Sequence, residues 1–304
     1  MTTAAPPIPQ PDLGRSRVVV HAPGSGPGYW AGGPSAALAD DRSIVLAYRL
    51  RRPVGKGRGF ANVVARSADG EVFETLTVLG NDEFGAESLE RPCLVRRPDG
   101  GWRLYVSRAT PGTLHWDVVA IDADRPDGFT AAGAVPVFAG DPVTAYKDPV
   151  VMHDGETWHA WVCCHEVGDP AEADAMYTRY ATSDDGLHWA IGEPALAPRD
   201  GTWDARGTRI ASVVHDGTGW LAYYDGRARA DQNWSEQTGV AHGTTPDRFA
   251  TEADAPLAVS PDGGGGLRYL DVLPLGDGGY RLYYEAARPD GAHDLLTEHI
   301  PADG

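Results

Sequence analysis

The sequence predicts an all-β fold, namely a single five-bladed β-propeller with four-stranded antiparallel blades. Three observations support this prediction. Short apolar strands recur along the chain at intervals of about 60 residues. An Asp-Gly turn, which suits a tight β-hairpin, precedes most of these strands. No long stretch shows the i, i+3, i+4, i+7 spacing of apolar residues that marks an amphipathic helix.

Five apolar strands can be aligned, and the last four begin with an aromatic residue, at spacings of 56, 62 and 60 residues. The aligned strands cover residues 44–48, 102–106, 158–162, 220–224 and 280–284. A shorter strand precedes each turn, and a third strand with a second turn follows, as in residues 180–189. Each repeat is therefore predicted to be a four-stranded sheet that buries its faces only against its neighbours.

The chain is predicted to form one domain, residues 15–304, after a flexible Pro-rich tail at residues 1–14. The last repeat ends after residues 293–300 without a fourth strand. Residues 17–21 could supply that strand, which would close the ring and remove two exposed sheet edges. The alternative is that residues 17–21 form a free strand on the surface.

The formal charge of −17 argues against a nucleic acid or an anionic membrane as a partner, because both would be repelled. The N-terminus has neither a basic segment nor an apolar run, and nothing later is long enough to cross a bilayer. A cytoplasmic location is therefore expected. The expected partner is a small-molecule or oligosaccharide substrate, and the sequence carries no signal for an oligomeric state.

The three cysteines, Cys93, Cys163 and Cys164, lack the spacing of a disulfide framework or a zinc site. No Gly-rich phosphate loop, nucleophile elbow or metal-spaced histidine cluster is present. We therefore expect no bound metal and no cofactor, although a channel cation such as calcium stays open. Cys163 and His165 could form a thiol nucleophile with its base, but a packed thiol beside a hydrogen-bonded imidazole is the favoured interpretation.

The first strand of each blade lines the channel of a propeller, so five strand entrances should converge on one pocket. These entrances are unusually rich in charge. Their charged residues are Glu90, Arg91, Lys147, Asp148, Asp204, Arg206, Arg209, Arg268 and Asp271. Counting back from the turn aspartates places Asp148, Ile210 and Asp271 at equivalent positions. For each residue alone, a loop cap or a surface ion pair is the alternative.

The second strands end in another ring of polar residues. Alignment of the repeats puts at one level Arg49, Ser107, Cys163, Asp225 and Glu285. Arg51, His165 and Arg227 follow two residues later, and side chains two apart in a strand share a face. Buried charges are costly unless they are paired, so Asp225 and Glu285 are expected either to hold arginines in place or to serve chemistry.

The repeats and three motifs resemble the five-bladed propeller glycoside hydrolases, such as families 43, 32 and 68. The motifs are Lys147-Asp-Pro149, Trp203-Asp-x-x-Gly207 and the turn ending in Gly-Leu-His-Trp189. This resemblance covers nearly the whole chain and implies three pocket carboxylates, as nucleophile or base, orienting acid and general acid. The sequence departs from that pattern twice: Gly32-Gly-Pro34 stands where an Asp is usual, and Asp148 where a Glu is expected.

Cleavage of a glycosidic bond needs one protonated carboxylic acid and one carboxylate on opposite sides of the bond. Asp148 and Glu90 are predicted to be the central catalytic pair, with Asp271 and Glu285 as the next candidates. The predicted substrate-binding residues are Trp30, Arg49, Arg91, Lys147, His165, Trp203, Asp204, Arg209, Asp225, Arg227, Arg268 and Tyr269.

The predicted function is that of a carbohydrate-active enzyme, a glycoside hydrolase acting through paired carboxylates in the central pocket. The many basic residues at the same entrances support an alternative. In that alternative the protein is a non-hydrolytic propeller that recognises an anionic or polyhydroxylated ligand. It would be a lyase, an isomerase, a phosphorolytic enzyme or a binding protein.

Overall fold

The computed structural model of the chain describes residues 8–215 and 217–302. In this part of the chain β-strands are joined by turns and four short 3-10 helices, at Asp82–Phe84, Ala131–Gly133, Ala230–Gln232 and Gly263–Gly265. The strands are β1 Arg17–Val20, β2 Trp30–Leu38, β3 Ile44–Arg51, β4 Gly59–Ser67, β5 Glu74–Gly80, β6 Ser88–Arg96, β7 Trp102–Ala109, β8 Trp116–Ala123, β9 Val135–Phe138 and β10 Thr144–His153. They continue with β11 Trp158–Glu166, β12 Tyr177–Ser183, β13 Ala190–Leu196, β14 Gly207–His215, β15 Trp220–Arg227, β16 Gln237–Thr245, β17 Arg248–Ala250, β18 Leu267–Pro274, β19 Tyr280–Ala287 and β20 His293–Ile300.

The strands form antiparallel sheets in chain order, which confirms the predicted all-β fold of four-stranded units. Strands β6–β9, β10–β13 and β14–β17 form three separate four-stranded sheets. The remaining strands form one eight-stranded sheet, in the order β18-β19-β20-β2-β3-β4-β5 with β1 on β20. This larger, mixed sheet was not predicted; it arises because β2 meets β20 through a single parallel bridge, Trp30 to His293. The five predicted repeats correspond to β2–β5, β6–β9, β10–β13, β14–β17 and β18–β20.

The segment near the N-terminus adds to the last repeat. Strand β1 pairs antiparallel with β20, with Arg17 opposite Thr297 and Val18 opposite Leu296, so it is not a free surface strand. Residues 1–7 of the predicted tail lie outside the described residues. Leu13, within residues 8–14 of that tail, packs against the apolar core. The predicted boundary of the domain at residue 15 stays a prediction.

Apolar clusters fill the space between successive repeats. The first and second repeats share one that includes Val45 and Leu104, and the third and fourth share one around Trp161. Another joins Leu46 of the first repeat to Tyr283 of the fifth. The first strands contact one another in the order β2, β6, β10, β14, β18, and β18 in turn contacts β2. The ends of these five strands therefore converge.

Turns at the outer edge are held by side chains of a neighbouring repeat. We call residues 67–70 and 183–186 the outer turns. Tyr283 Oη donates a hydrogen bond of 3.0 Å to the carbonyl oxygen of Gly70, and Tyr105 Oη donates one of 2.8 Å to that of Gly186. Trp161 Nε1 makes the corresponding bond, of 2.7 Å, to the carbonyl oxygen of Pro246. These three aromatic residues of the predicted second strands thus each form a hydrogen bond that links one sheet to its neighbour.

A bulge interrupts the first strand of each repeat near its inner end. Three bulge residues have a positive φ: Gly33 at 59°, Asp148 at 50° and Tyr269 at 53°. Glycine adopts this conformation freely, but aspartate and tyrosine are strained in it. The bulges turn the following residues relative to a regular strand, so they decide which side chains reach the centre of the molecule.

Candidate functional site

A central cavity of about 340 Å³ opens where the first and second strands of the repeats converge. Its volume suits a small molecule such as a short saccharide. Aromatic side chains form part of its wall, namely Trp30, Trp116, Trp234 and Tyr269. The cationic side chains in the wall are Arg49, Arg51, Arg58, Lys147, Arg209 and Arg268, and the acidic ones are Glu90, Asp174 and Glu236. A protein with a net charge of −17 therefore has a cavity lined by more cations than anions.

Half of the predicted site residues line this cavity. Those that line it are Trp30, Arg49, Glu90, Lys147, His165, Arg209, Arg268 and Tyr269. Those that do not are Arg91, Asp148, Trp203, Asp204, Asp225, Arg227, Asp271 and Glu285. Three residues of the second group, Asp148, Asp225 and Glu285, form ion pairs with residues of the first. The sequence-based selection therefore includes both residues of the wall and residues that hold them in place.

Glu90 is the predicted catalytic residue that lies in the cavity wall. Its Oε2 accepts a hydrogen bond of 2.6 Å from Arg49 Nη1, and its Oε1 accepts one of 2.9 Å from Ser88 Oγ. Burial opposes its ionisation, but Arg49, Lys147 and Arg58 outweigh burial and lower the pKa of Glu90 to about 2. Glu90 is therefore a carboxylate at neutral pH and has no proton to donate.

Asp148 is fully buried behind the wall rather than across the cavity from Glu90. Its Oδ1 accepts a hydrogen bond of 3.0 Å from the Arg91 backbone N–H. Its Oδ2 accepts bonds of 3.2 Å each from Arg209 Nη1 and Tyr269 Oη. Asp148 thus positions two residues that do line the cavity, and its predicted catalytic role stays a prediction.

Asp225 supports the same two residues from the other side. Its Oδ2 accepts hydrogen bonds from Arg209 Nε and Nη2, at 3.1 and 2.7 Å. Its Oδ1 accepts one of 2.8 Å from the backbone N–H of Tyr269. Arg209 lies with its Cζ 3.9 Å from the centre of the Tyr269 ring. Two buried aspartates therefore fix Arg209 and Tyr269 in the cavity floor.

Glu285 holds Arg268 in the wall. Its Oε1 accepts hydrogen bonds of 2.7 Å from Arg268 Nε and of 2.7 Å from His293 Nδ1. A Cβ atom at Gly32 would lie 1.9 Å from Glu285 Oε2. The first repeat therefore has no room for the acid that the resembling families carry at this point, because a carboxylate from the fifth repeat fills the space.

The register of the strands corrects one predicted equivalence. Lys147 lies opposite Cys163, and Arg268 lies opposite Glu285, so the residues that follow them, Asp148 and Tyr269, are the equivalent pair. Asp271 lies two residues further along, opposite Tyr283. The count from the turn was wrong for Asp271 because the turn aspartate of the fifth repeat, Asp277, lies three residues after the end of β18, whereas Asp154 directly follows β10.

Asp271 lies deeper along the channel, outside the cavity wall. Its Oδ2 accepts a hydrogen bond of 2.7 Å from the Ala36 backbone N–H, and its Oδ1 lies 3.7 Å from Arg91 Nη2. Burial raises the pKa of Asp271 to about 6, with Arg91 opposing. This carboxyl group could be protonated in weak acid, but it does not face the cavity.

His165 is neutral and held by the backbone. Its Nδ1 donates a hydrogen bond of 3.0 Å to the carbonyl oxygen of Ala173, and its Nε2 lies 3.6 Å from Cys163 Sγ. Burial and the nearby Lys147 hold the pKa of His165 well below its usual range. Burial also raises the pKa of Cys163 to about 12, so the thiol is not a nucleophile at neutral pH. The packed-thiol interpretation therefore agrees with the geometry.

Trp203 and Asp204 lie in the fourth repeat, away from the cavity wall. Tyr224 Oη donates a hydrogen bond of 2.8 Å to Asp204 Oδ2, and Arg199 pairs with the same carboxylate at 3.0 Å. The ring of Trp203 stacks on that of Tyr224, with centroids 5.5 Å apart. The Trp-Asp motif therefore anchors the fourth repeat and does not line the cavity, and its predicted role in substrate binding stays a prediction.

Sequence reasoning missed several residues of the wall. Glu236 accepts hydrogen bonds of 2.7 Å each from Arg227 Nη1 and Arg268 Nη1, and these arginines hold its pKa well below its usual range despite burial. Trp234 lies beside it at the mouth, with a φ of 82° and 45% of its surface exposed. Both follow the second strand of the fourth repeat, in a loop outside the aligned segments, so the repeat gave no signal for them.

The described residues show no group of three or more His, Cys, Asp or Glu side chains placed to hold a metal ion. Within residues 8–215 and 217–302, no helix has the length and apolar character needed to span a membrane.

No known family model matches the chain, and no curated protein matches it in sequence. Solved structures do match. A β-1,2-mannobiose phosphorylase from Listeria innocua has a TM-score of 0.67 and 14% identity, over 97% of this chain and 93% of that one. A glycosyl hydrolase from Bacteroides ovatus has a TM-score of 0.66 and 17% identity, over 94% and 86%. A thermostable family-43 glycoside hydrolase has a TM-score of 0.66 and 14% identity, over 88% of each chain. The chain thus has the fold of the propeller glycoside hydrolase superfamily, as the resemblance of its repeats and motifs predicted.

Proposed function

We propose that this protein is a carbohydrate-active enzyme that binds a small saccharide in its central cavity and acts on it by a non-hydrolytic route. The observation that carries this proposal is that every carboxylate in the cavity wall is paired with arginine. Glu90 pairs with Arg49, Glu236 with Arg268, and Asp174 with Arg206. Hydrolysis with a carboxylic acid as proton donor needs one protonated carboxyl group at the scissile bond, and none lies in this wall.

The architecture proposed for this function is a closed ring of five blades. Strand β1 would complete the fifth blade beside β20. The apolar cluster between the first and fifth repeats supports closure, because it is equivalent to the clusters between the other neighbours. A closed ring leaves no unpaired sheet edge facing a neighbour and gives the cavity a rigid wall.

The composition of the wall supports a saccharide as the ligand. Trp234, with 45% of its surface exposed, presents a flat apolar face at the mouth of the cavity, and charged groups lie near it in the wall. A sugar ring offers both an apolar face and many hydroxyl groups, so it matches such a wall. The fold relatives include an enzyme described as a β-1,2-mannobiose phosphorylase and others described as glycoside hydrolases, which favours the same class of ligand.

Hydrolysis is the competing function, and the glycoside hydrolases among the fold relatives favour it. In that case Glu90 and Asp148 would act together, although Asp148 lies behind Arg209 and Tyr269. Ligand binding would have to break the bonds from Arg209 and Tyr269 before Asp148 could reach a glycosidic oxygen. The ion pairs of Asp148 make this route costly.

A substrate screen tests the proposal. Aryl glycosides and disaccharides are incubated with the wild type, with and without inorganic phosphate, and binding is measured in parallel by calorimetry. We expect saccharide binding without release of the aryl group in phosphate-free buffer. Release of the aryl group that falls about 100-fold or more in both Glu90→Gln and Asp148→Asn, but not in the exposed control Glu252→Gln, would establish hydrolysis instead.

A further inference from the structure

The cavity wall contains two cations that lack an acidic partner. Four of its six cationic side chains form ion pairs: Arg49 with Glu90, Arg58 with Glu87, Arg209 with Asp148, and Arg268 with Glu236. Arg51 and Lys147 form none with any carboxylate in residues 8–215 and 217–302. Both lie in strands, so the backbone fixes where they start.

Arg51 is held in place by aromatic rings rather than by an acid. Its Cζ lies 3.9 Å from the centre of the Trp30 ring and 5.1 Å from that of Trp234. Its Nη1 donates one long hydrogen bond, of 3.4 Å, to the carbonyl oxygen of Gly28. Only 3% of the residue is exposed, so the guanidinium has lost most of its water without gaining a counter-charge.

Other cations increase the cost of burying Arg51. Burial lowers the pKa of Arg51 to about 9; the charge of Glu90 opposes this shift, and repulsion from Arg49, Arg268 and Arg58 adds to it. A buried cation next to like charges is an unstable arrangement unless an anion joins it. The free cavity is therefore arranged to accept negative charge.

Lys147 is the second cation of the cavity wall that has no acidic partner among the described residues. Its Nζ lies 4.5 Å from the centre of the Trp116 ring, which holds the ammonium group over an aromatic face. Lys147 and Arg51 both act on the charge of Glu90, but the oxygens of Glu90 are taken by Arg49, Arg58 and Ser88. Arg51 and Lys147 thus both lie near Glu90, but the oxygens of Glu90 already accept hydrogen bonds from other residues.

We propose that Arg51 and Lys147 form an oxyanion subsite in the cavity, beside the proposed saccharide site. The oxyanion is either the carboxylate of an acidic sugar or a free phosphate bound beside a neutral sugar. A carboxylate or phosphate presents several acceptor oxygens, which match a guanidinium fork on one side and an ammonium group on the other. This inference rests on the proposed saccharide site and adds that a negatively charged group binds there.

Thermal unfolding and calorimetry of the whole chain test this subsite. The probes are inorganic phosphate, D-glucuronate and D-galacturonate, with D-glucose and D-galactose as neutral counterparts at matched ionic strength. We expect at least one oxyanion to raise Tm where its neutral counterpart or added chloride does not. A rise in Tm with a uronate but not with phosphate would identify an acidic sugar as the ligand. A rise in Tm with phosphate but not with a uronate would identify a free oxyanion.

Two substitutions separate the subsite from a structural role. Arg51→Met and Lys147→Met keep an unbranched side chain and remove the charge, and each should weaken oxyanion binding by about ten-fold or more. The exposed residues Arg125 and Lys56 provide the controls Arg125→Met and Lys56→Met, which should bind as the wild type does. Because Arg51 is surrounded by like charges, free Arg51→Met should melt no lower than the wild type, whereas loss of a structural arginine would lower Tm.

The outcomes distinguish this inference from the proposed function. Binding of neutral saccharides with no effect of any oxyanion would overturn the subsite and leave the saccharide site standing. Oxyanion binding that both Met variants retain would also overturn it. Oxyanion binding that depends on Arg51 and Lys147, in a protein that binds no saccharide, would support the subsite and overturn the proposed function.

Discussion

The outer turns and the central cavity use the same two residue types, arginine and tyrosine, in different ways. At the outer edge, Arg103 and Tyr105 donate to the backbone of residues 185–186, and Arg281 and Tyr283 donate to that of residues 69–70. The arrangement is repeated in register. At the cavity, Arg209 and Arg268 each pair with the acid opposite in their own repeat, Asp225 and Glu285. The other cations of the wall do not repeat this pairing, and among the described residues Arg51 and Lys147 have no acidic partner.

Backbone strain follows the same division. In the outer turns the positive φ angles are carried by Gly70 and Gly186, at 77° and 71°, where glycine meets no penalty. Around the cavity they are carried by Asp148, Tyr269 and Trp234, at 50°, 53° and 82°. The residues that recur in the repeats stabilise the fold, and residues that differ between the repeats line the cavity.

The largest effect is expected beneath the cavity. Asp225→Ala should lower the free energy of unfolding by about 3–5 kcal/mol, because Arg209 would stay buried without its bidentate partner. Urea unfolding measures this loss. Asp231→Ala, which removes an exposed partner of Arg229, should leave the stability nearly unchanged. A loss at Asp225 as small as that control would mean that the cavity arginines do not depend on their buried acids.

The pH dependence of stability should reveal Asp271. Because burial raises the pKa of Asp271 to about 6, the folded state holds its proton more tightly than the unfolded state. The free energy of unfolding should therefore fall as pH rises from about 4 to about 6, by up to about 3 kcal/mol from this group. Asp271→Asn should remove this part of the slope, as followed by urea unfolding across that range.

Glu90 gives the matching control for the pH series. Its pKa is lowered to about 2, so its contribution to stability is present above its ordinary pKa and is lost as pH falls toward 2. Glu90→Gln should therefore change the profile below about pH 4.5 and keep the slope between pH 5 and 6. If Asp271→Asn leaves that slope in place, Asp271 does not titrate in the window that burial predicts.

A smaller, symmetrical effect is expected at the outer edge. Tyr105→Phe and Tyr283→Phe should each lower the free energy of unfolding by about 1–2 kcal/mol, because each leaves a glycine carbonyl without its hydroxyl donor. The double variant should show the sum of the two losses, since the junctions share no residues. Unequal losses would show that the outer turns are not equivalent. Tyr48→Phe, in a strand but at neither outer turn, is the control.

The smallest effect on stability is expected at the mouth of the cavity, and it has the opposite sign. Trp234→Gly should leave stability unchanged or raise it by up to about 1 kcal/mol, because glycine tolerates the φ of 82°. Saccharide binding should weaken, since the ring lies 5.8 Å from that of Trp30 in the wall. Calorimetry and thermal unfolding of the same samples test both parts. A clear loss of stability would assign Trp234 to the fold instead.

Part of the wall and of the residues that support it could be predicted because the repeat aligns them. Arg49, Asp225 and Glu285 were placed at one level, and the strand register puts Asp225 opposite Arg209 and Glu285 opposite Arg268. Glu236 and Trp234 could not be found in this way, because the loops between the second and third strands differ in length from repeat to repeat and do not align. Asp271 was misplaced because the turn aspartates do not lie at the same distance from the ends of their strands: Asp154 directly follows β10, and Asp277 lies three residues after β18.

The sequence by itself determined the strands, the outer turns and the charged character of the strand entrances, since these depend on local pattern and on the repeat. Only the tertiary structure decided which charges face the cavity and which neutralise one another. Ion pairing depends on distances between strands that lie far apart in the chain, such as Arg49 and Glu90. Because of this pairing, Asp148 and Glu285 hold arginines behind the cavity wall, and among the described residues Arg51 and Lys147 have no acidic partner.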